Sequence, residues 1–173
     1  LYDLSAVSQM EFDAWRKDQQ LSFLINAYNA FTIQLILTEY PDVASIKHLG
    51  SFFTNPWQKK FFTLLGKKRY LDWIEHESIR KPGIYDDPRI HAAVNCASIG
   101  CPALRNEAFI ADELDSQLED NMRRFLTDKS RNRYNPETGS LEVSKVFDWY
   151  RADFQKGDRG INSLKDFFAG YAD

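Results

Sequence analysis

Apolar residues recur every three or four positions along several stretches of this chain. The longest stretch covers 21–38 and predicts a long helix. Shorter stretches of the same kind predict helices over 7–17, 72–80, 107–127, 144–154 and 161–171. Polar residues interrupt the longest stretch throughout, so we expect this helix in the core of a protein domain and predict no membrane span.

Short strands are predicted at three places. A Gly-containing turn joins 61–65 to 69–71 as in a small hairpin, and a second turn over 134–141 separates two further short strands. The apolar run 90–95 predicts a buried strand, with a helix as the alternative, because periodicity does not distinguish the two over so few residues. Together these elements predict an α+β fold, helix-rich, with a small and mainly antiparallel sheet.

Length and composition indicate a single domain over residues 1–173. The chain has no internal repeat and no linker rich in Gly, Ser or Pro, and 173 residues is an ordinary size for one domain. The net charge of −3 gives no electrostatic reason to expect nucleic acid as a partner. Two cysteines are too few to make a small secreted protein held together by disulfides.

Histidine and cysteine are scarce, which narrows the search for reactive side chains. The chain contains three histidines and two cysteines, and four of these five residues lie between 76 and 101. Cys96 stands where the predicted strand gives way to a loop rich in Ser, Gly and Pro, a position that fixes the backbone and leaves the side chain accessible. A thiol there becomes a nucleophile if a base favours its thiolate; the alternative is a buried cysteine that acts as a small hydrophobic residue.

His76 is the first candidate for that base. Neither a strand nor a helix over 90–96 would turn His91 toward Cys96, because a separation of five positions leaves the two side chains on different faces. His76 lies on the preceding predicted helix and is free to approach Cys96 in the folded chain. His91 is then a pocket residue or a reserve base.

Two acidic residues precede His76 on the same predicted helix. Asp72 has the type and position of an N-cap and lies one turn before His76, where its carboxylate is placed to orient the imidazole. Glu75 has two alternative roles, since it either closes a capping box with Asp72 or points into the site.

Two asparagines are unusual for a buried helix. Asn26 and Asn29 lie three positions apart in the charge-free stretch of the longest predicted helix, although asparagine is a poor helix former. Buried amides need hydrogen-bond partners. They therefore either bond a neighbouring loop or line a polar pocket that holds an oxyanion or a substrate amide.

Five blocks of sequence together resemble domain-of-unknown-function family 547. They occur in the family's order over nearly the whole chain, at 23–32, 71–76, 87–91, 95–104 and 147–154. Compared with that family, an upstream segment is expected to be absent or short. The motif positions are all kept, at Asn26, Asn29, Glu75, His76, Arg89, His91, Asn95, Cys96, Ser98 and Cys101.

The resemblance implies a Glu, His and Cys set similar to that of papain-like or transglutaminase-like thiol enzymes. It implies catalytic roles for Glu75, His76 and Cys96, and binding roles for the other motif positions except Cys101, which is a loop cysteine of redox or structural use. Many members of the family look exported, so the resemblance favours a periplasmic or extracellular location. Because fold-level analogy does not establish an activity, the reaction stays a hypothesis.

The leading hypothesis is a cysteine-dependent hydrolase or acyl transferase that acts on an amide or a small peptide. Cys96 would attack as thiolate, His76 would serve as base and then as acid, and Glu75 or Asp72 would set the imidazole tautomer. Amide donors from the 96–101 loop, or from Asn26, Asn29 or Asn95, would stabilise the oxyanion. No cofactor is expected.

Three alternatives remain open at this point. The first is a non-catalytic domain whose polar cluster recognises a small molecule or peptide. The second is a dithiol switch formed by Cys96 and Cys101, although their spacing is longer than the usual Cys-x-x-Cys motif. The third is a zinc site made of both cysteines with His76 and His91, although these gaps do not match the usual structural zinc pattern.

Overall fold

The computed structural model describes residues 1–50 and 55–172, and helices make up most of its regular structure. The α-helices are α1 (Tyr2–Ala6), α2 (Gln9–Asp13), α3 (Lys17–Leu37), α4 (Leu114–Thr127), α5 (Val146–Trp149) and α6 (Leu164–Ala169). A π-helix spans Trp73–Ile79, and short 3-10 helices span Ile46–Leu49, Pro56–Gln58, Pro88–Ala92, Ala111–Glu113, Asp153–Gln155 and Asp158–Gly160. The predicted helix-rich α+β class is confirmed.

Two antiparallel hairpins supply the strands that the structure describes. Strand β1 (Phe62–Leu64) pairs with β2 (Lys67–Arg69), and β3 (Arg133–Asn135) pairs with β4 (Ser140–Glu142). Gly66 has a φ of 73° in the first turn, a backbone conformation that glycine adopts without steric cost. Both hairpins were predicted from their turn residues and both are confirmed, although their turns are shorter than predicted, since β2 begins at Lys67 and the second pair of strands extends into the predicted turn 134–141.

The long helix α3 is the centre of the larger hydrophobic core. Leu24, Ile25, Tyr28, Phe31 and Leu35 are almost completely buried along it, because apolar residues occupy more than one of its faces. The helix begins at Lys17, earlier than predicted, where the side chain of Gln19 accepts a hydrogen bond from the Arg16 amide. No helix of the described residues combines the length and the apolar character that crossing a bilayer requires.

A second, smaller core is built from aromatic residues of the C-terminal third. Phe147, Phe154 and Phe167 pack against one another with ring centroids 4.8 to 5.9 Å apart. The segment Pro88–Ala92 lies between the two cores, since Ile90 belongs to the first and Ala92 to the second. This position brings its side chains close to residues from both ends of the chain.

The predicted strand over 90–95 is wrong. The chain forms the 3-10 helix Pro88–Ala92 instead, which Pro88 begins and whose first turn Asp87 caps by accepting from the Arg89 amide. Side-chain amides replace the hydrogen bonds that a neighbouring strand would make, because Asn121 and Asn29 donate to the carbonyl oxygens of residues 92 and 93. The geometric argument that separated His91 from Cys96 therefore does not apply.

Other predicted helices differ at their ends or in their caps. The stretch 7–17 forms no single helix but is divided between α2 and the start of α3, and the helix predicted from 107 begins at Leu114. Asp72 makes no side-chain capping bond, so the predicted capping box does not form. Glu75 turns inward instead and is only 3% exposed.

Candidate functional site

Cys96 and Cys101 form a disulfide across the loop that follows the 3-10 helix. Their Cα atoms are 6.4 Å apart, Cys96 is half-buried and Cys101 is buried. Ser98 helps to form the tight loop, since its carbonyl oxygen accepts a hydrogen bond from the Cys101 amide at 3.0 Å. Neither sulfur is a free thiol in this state, so nucleophilic attack by Cys96 requires prior reduction of the disulfide.

The backbone beside Cys96 is held in an unusual conformation. Ala97 has a φ of 58°, in the left-handed region that non-glycine residues rarely adopt. The side chain of Asn95 fixes it from both sides, because Oδ1 accepts from the Ala97 amide at 2.8 Å and Nδ2 donates to the carbonyl oxygen of Pro102 at 2.7 Å. Strained backbone of this kind is concentrated at functional sites.

Asn29 attaches this loop to helix α3. Its Nδ2 donates to the carbonyl oxygen of Ala93 and its Oδ1 accepts from the Asn95 amide, both at 2.9 Å. Asn26, one turn earlier, binds Phe109 in the same two-bond manner at 2.8 and 2.9 Å. The sequence left two roles open for these asparagines, which were to bond a neighbouring loop or to line a polar pocket. In the structure both of them bond neighbouring loops.

Glu75 is the most deeply buried carboxylate of the site. The hydroxyl groups of Tyr28 and Tyr150 are placed near it, and the pKa of each tyrosine is raised first by burial and then by the negative charge of Glu75. The Tyr28 hydroxyl makes no hydrogen bond to another described residue, although its residue is fully buried. A buried carboxylate beside two hydroxyls is costly to keep in a core, which makes this cluster a candidate for function.

His91 and Asp153 form a buried pair beside Glu75. Nε2 of His91 lies 2.8 Å from Oδ2 of Asp153, and Nδ1 has no hydrogen-bond partner among the described residues. The ring of Tyr150 stacks on the imidazole with centroids 4.0 Å apart. Burial lowers the pKa of His91, and the negative charges of Asp153 and Glu75 only partly oppose this change. The neutral imidazole donates from Nε2, so Nδ1 carries the free lone pair.

Asp153 is the carboxylate on which this part of the site converges. Burial alone would raise its pKa, but hydrogen bonds from His91, Arg80 and Lys156 hold that pKa well below the usual range. Arg80 Nε lies 2.5 Å from Oδ2, and Lys156 Nζ lies 2.7 Å from Oδ1. The carboxylate is therefore ionised at neutral pH and fixed in orientation from three directions.

His76 lies at the outer edge of the same group. Its Nδ1 is 2.6 Å from Nη1 of Arg80 and therefore accepts a hydrogen bond from the guanidinium, while Nε2 is 3.8 Å from Oδ1 of Asp72. Burial raises the pKa of Asp72. Among the described residues, no hydrogen bond joins the sulfur of Cys96 to His76 or to His91.

Arg89 supports the site from the side of α4. Its guanidinium is almost fully buried and pairs with Asp87, Asp115 and Glu119 at 2.7, 2.6 and 3.3 Å. These carboxylates already use its donors, so in this state Arg89 joins the 3-10 helix to α4. Its predicted binding role stays a prediction.

Four residues of the site were not among the candidates from the sequence: Tyr28, Arg80, Tyr150 and Asp153. Tyr28 stands between the two asparagines, and 150 and 153 lie in the last of the five resembling blocks, so three of the four had a signal in the sequence. Arg80 had none. In the part of the chain that the structure describes, no three His, Cys, Asp or Glu side chains form a group that could hold a metal ion.

The model of the family described as "Protein of unknown function, DUF547" matches residues 12–126, about two thirds of the chain. This chain belongs to the DUF547 family. The match contains Glu75, His91 and Cys96 of the candidate site but ends before Asp153. No curated protein and no solved structure matches the chain significantly, so the likeness to papain-like enzymes stays a prediction.

Proposed function

We propose that this DUF547 domain is a cysteine-dependent hydrolase or acyl transferase that acts on an amide or a small peptide. Cys96 is the nucleophile, and a carboxylate-oriented imidazole is its base. The observation that carries the proposal is the His91 and Asp153 pair, in which one ring nitrogen is bound to a carboxylate and the other keeps a free lone pair. Cys96 follows His91 by five positions, and Asn29 holds the segment between them through its hydrogen bonds to residues 93 and 95.

The structure favours His91 over His76 as the base in this proposal. Nδ1 of His76 accepts from Arg80, so the neutral ring carries its proton on Nε2 and has no lone pair left for a thiol. The lone pair on Nδ1 of His91 is free. His76 remains the assignment that sequence spacing predicts, and the variants below separate the two.

The reaction begins once a dithiol reductant has opened the disulfide, a step that consumes two electrons and two protons and yields both thiols. His91 takes the proton of Cys96, and the thiolate sulfur bonds to the carbonyl carbon of the substrate. The carbon–nitrogen bond then breaks, and the imidazolium gives its proton to the departing amine. Water or a second amine attacks the thioester in the next half-reaction, which makes the outcome hydrolysis or acyl transfer.

Access to His91 requires a local movement in this scheme. The imidazole is fully buried under the ring of Tyr150, and the small pocket beside Asp153 and Arg80 has a volume of about 20 Å³, enough for roughly one water molecule. Tyr150 is only half-buried at the end of α5, so we expect its side chain to move when substrate binds.

Alkylation kinetics test the proposal. In Cys101→Ser protein, which needs no reduction, we expect iodoacetamide to label Cys96 at pH 7 roughly tenfold faster than an ordinary thiol. His91→Gln should remove that advantage and His76→Gln should leave most of it. The matched control is Cys96→Ser, whose single thiol at the buried Cys101 should react slowly. Equal, slow labelling at both positions would exclude Cys96 as the nucleophile.

A second candidate function is favoured by the disulfide. If the bond is permanent, the loop is a rigid part of a domain that binds a small molecule or peptide, and the protein functions in an oxidising compartment such as the periplasm or the cell exterior. The measurement that separates the two is a thermal-shift screen with dipeptides on oxidised and reduced protein. Binding by the oxidised form alone supports the second candidate.

A further inference from the structure

Arg80 lies at the C-terminal end of the π-helix, between His76 and Asp153. Its guanidinium contacts three other members of the site. Nε donates to Oδ2 of Asp153 at 2.5 Å, Nη1 donates to Nδ1 of His76 at 2.6 Å, and Cζ lies 4.8 Å from the ring centroid of Tyr150. Its side chain is 22% exposed, so these contacts are shielded from most of the solvent.

The oxygen that Arg80 binds is the same one that orients His91. Oδ2 of Asp153 accepts from Nε2 of His91 at 2.8 Å and from Nε of Arg80 at 2.5 Å, while Oδ1 accepts from Lys156 at 2.7 Å. A carboxylate already compensated by two cations stabilises an imidazolium less than a free carboxylate does. The Asp153 carboxylate can therefore orient the imidazole without making it a strong proton acceptor.

We propose that Arg80 is a positioning residue of this site: by sharing Oδ2 of Asp153 it keeps the imidazole of His91 uncharged and the lone pair on Nδ1 available. The use of that lone pair as a base rests on the proposed function, but the effect of Arg80 on the charge of His91 does not. The two statements are thus open to separate tests.

The charged and titratable groups around His91 are consistent with this role. Glu75 on the π-helix and Asp153 on the 3-10 helix Asp153–Gln155 favour the protonated ring, whereas burial and the positive charge of Arg80 oppose it. Tyr150 covers the face of the ring and is neutral at physiological pH, because burial and Glu75 raise its pKa. Without Arg80, two carboxylates would act on the imidazole and the nearest opposing cation would be gone.

His76 has a part in the same arrangement. It accepts from Nη1 while Nε of the same guanidinium binds Asp153, so the two bonds hold the planar fork of Arg80 at both ends. A lysine at position 80 has one nitrogen and cannot make both bonds in this geometry. His76 therefore anchors Arg80, which gives this histidine a role other than that of a base.

Imidazole NMR provides the test, because the protein has only three histidines. The resonances of His48 and His76 are assigned with His48→Gln and His76→Gln, and the remaining titration belongs to His91. We expect the titration midpoint of His91 to rise by about 1 pH unit in Arg80→Gln and by a smaller amount in Arg80→Lys. Arg151→Gln, which removes an exposed arginine paired with Asp148, is the matched control and should change nothing.

Either Arg80 variant suffices if the other fails to fold. A midpoint at or below the wild-type value in a folded Arg80 variant would overturn the proposal. The pH profile of Cys96 alkylation in the Cys101→Ser background then tests the proposed function separately: its acid limb should move upward with the midpoint of His91. A shifted midpoint with an unshifted alkylation profile supports the role of Arg80 and contradicts His91 as the base.

Discussion

His91 donates from Nε2 to Asp153 at 2.8 Å, although 62 residues separate the two in the chain. The pair lies where the two hydrophobic cores meet, and it binds the segment that carries Cys96 to the C-terminal third of the molecule. A hydrogen-bonded carboxylate at this point both orients the imidazole and connects the two cores.

Asp153→Asn should lower the free energy of unfolding by about 3 kcal/mol, because it leaves Arg80 and Lys156 without their shared counter-charge in a shielded site. Urea unfolding at pH 7 measures the change. The control is Asp148→Asn, whose ion pair with Arg151 is exposed on both sides and should contribute less than about 0.5 kcal/mol. Equal small effects in the two variants would contradict the structural role of Asp153.

Stability should depend on pH below about 6.5 because of His91. Burial lowers the pKa of His91 in the folded protein from its ordinary value of 6.5, so the unfolded chain takes up a proton first as the pH falls. Stability is therefore lost on acidification, by at most about 1.4 kcal/mol per pH unit for one proton.

The pH dependence of unfolding checks this sign between pH 7 and 5.5. In His91→Gln the slope in that window should decrease, while His48→Gln, which alters an exposed residue, should keep it. Asp153 contributes in a different window, since its lowered pKa gives stability that is complete above its ordinary value of 3.8 and is lost below it. An unchanged slope in His91→Gln would contradict a neutral, buried imidazole.

The two asparagines of α3 allow a matched pair of substitutions. Asn29→Ala removes both bonds to the segment 93–95 and should cost about 2 kcal/mol, since it leaves a carbonyl oxygen and an amide without partners. Hydrogen exchange should become faster at the Asn95 amide and stay unchanged at the Phe109 amide. Asn26→Ala should give the reverse pattern. If hydrogen exchange became equally faster at both amides in both variants, the substitutions would destabilise the whole protein rather than break two separate attachments to α3.

Ala97→Gly should stabilise the protein, in contrast to most substitutions to glycine. The φ of 58° at Ala97 is costly for a residue with a Cβ atom, and its removal should raise the free energy of unfolding by about 1 kcal/mol. Thermal unfolding measures the change. Ala103→Gly, at an exposed position of ordinary φ in the same loop region, is the control and should be neutral or destabilising. A loss of stability in Ala97→Gly would show that the loop relaxes around this residue.

Local features of the fold were predictable from the sequence. Gly66 and the Asn135–Gly139 turn identify both hairpins, because turn residues act through their own backbone preferences. The spacing of apolar residues in α3 identifies the long helix, because that spacing is also a property of the segment itself. The strand predicted over 90–95 was wrong because the backbone there bonds to the side-chain amides of Asn29 and Asn121. No property of the segment itself indicates these partners.

The site was predictable in its rare residues and not in its common ones. Cys96 and His91 were candidates because the chain has only two cysteines and three histidines, whereas Glu75 was a candidate because it precedes His76 and stands at a position of the family motif. Arg80 and Asp153 belong to abundant residue types, and only the tertiary fold brings them to His91 from 11 and 62 positions away in the sequence. Which nitrogen of which histidine is free depends on these partners, and the sequence does not indicate them.

The hydrogen bonds that Asn26 and Asn29 of α3 make to distant loops also affect the order of folding. Asn26 and Asn29 bind residues 83 and 64 positions further along the chain, and contacts between such distant positions form slowly because the intervening chain must first be closed into a loop. We therefore expect the Cys96 loop to become ordered late, after α3 and the first hairpin. Both thiols are then accessible on a partly folded chain, and oxidation at that stage would close the disulfide between positions 96 and 101 before helix α3 has fixed its surroundings.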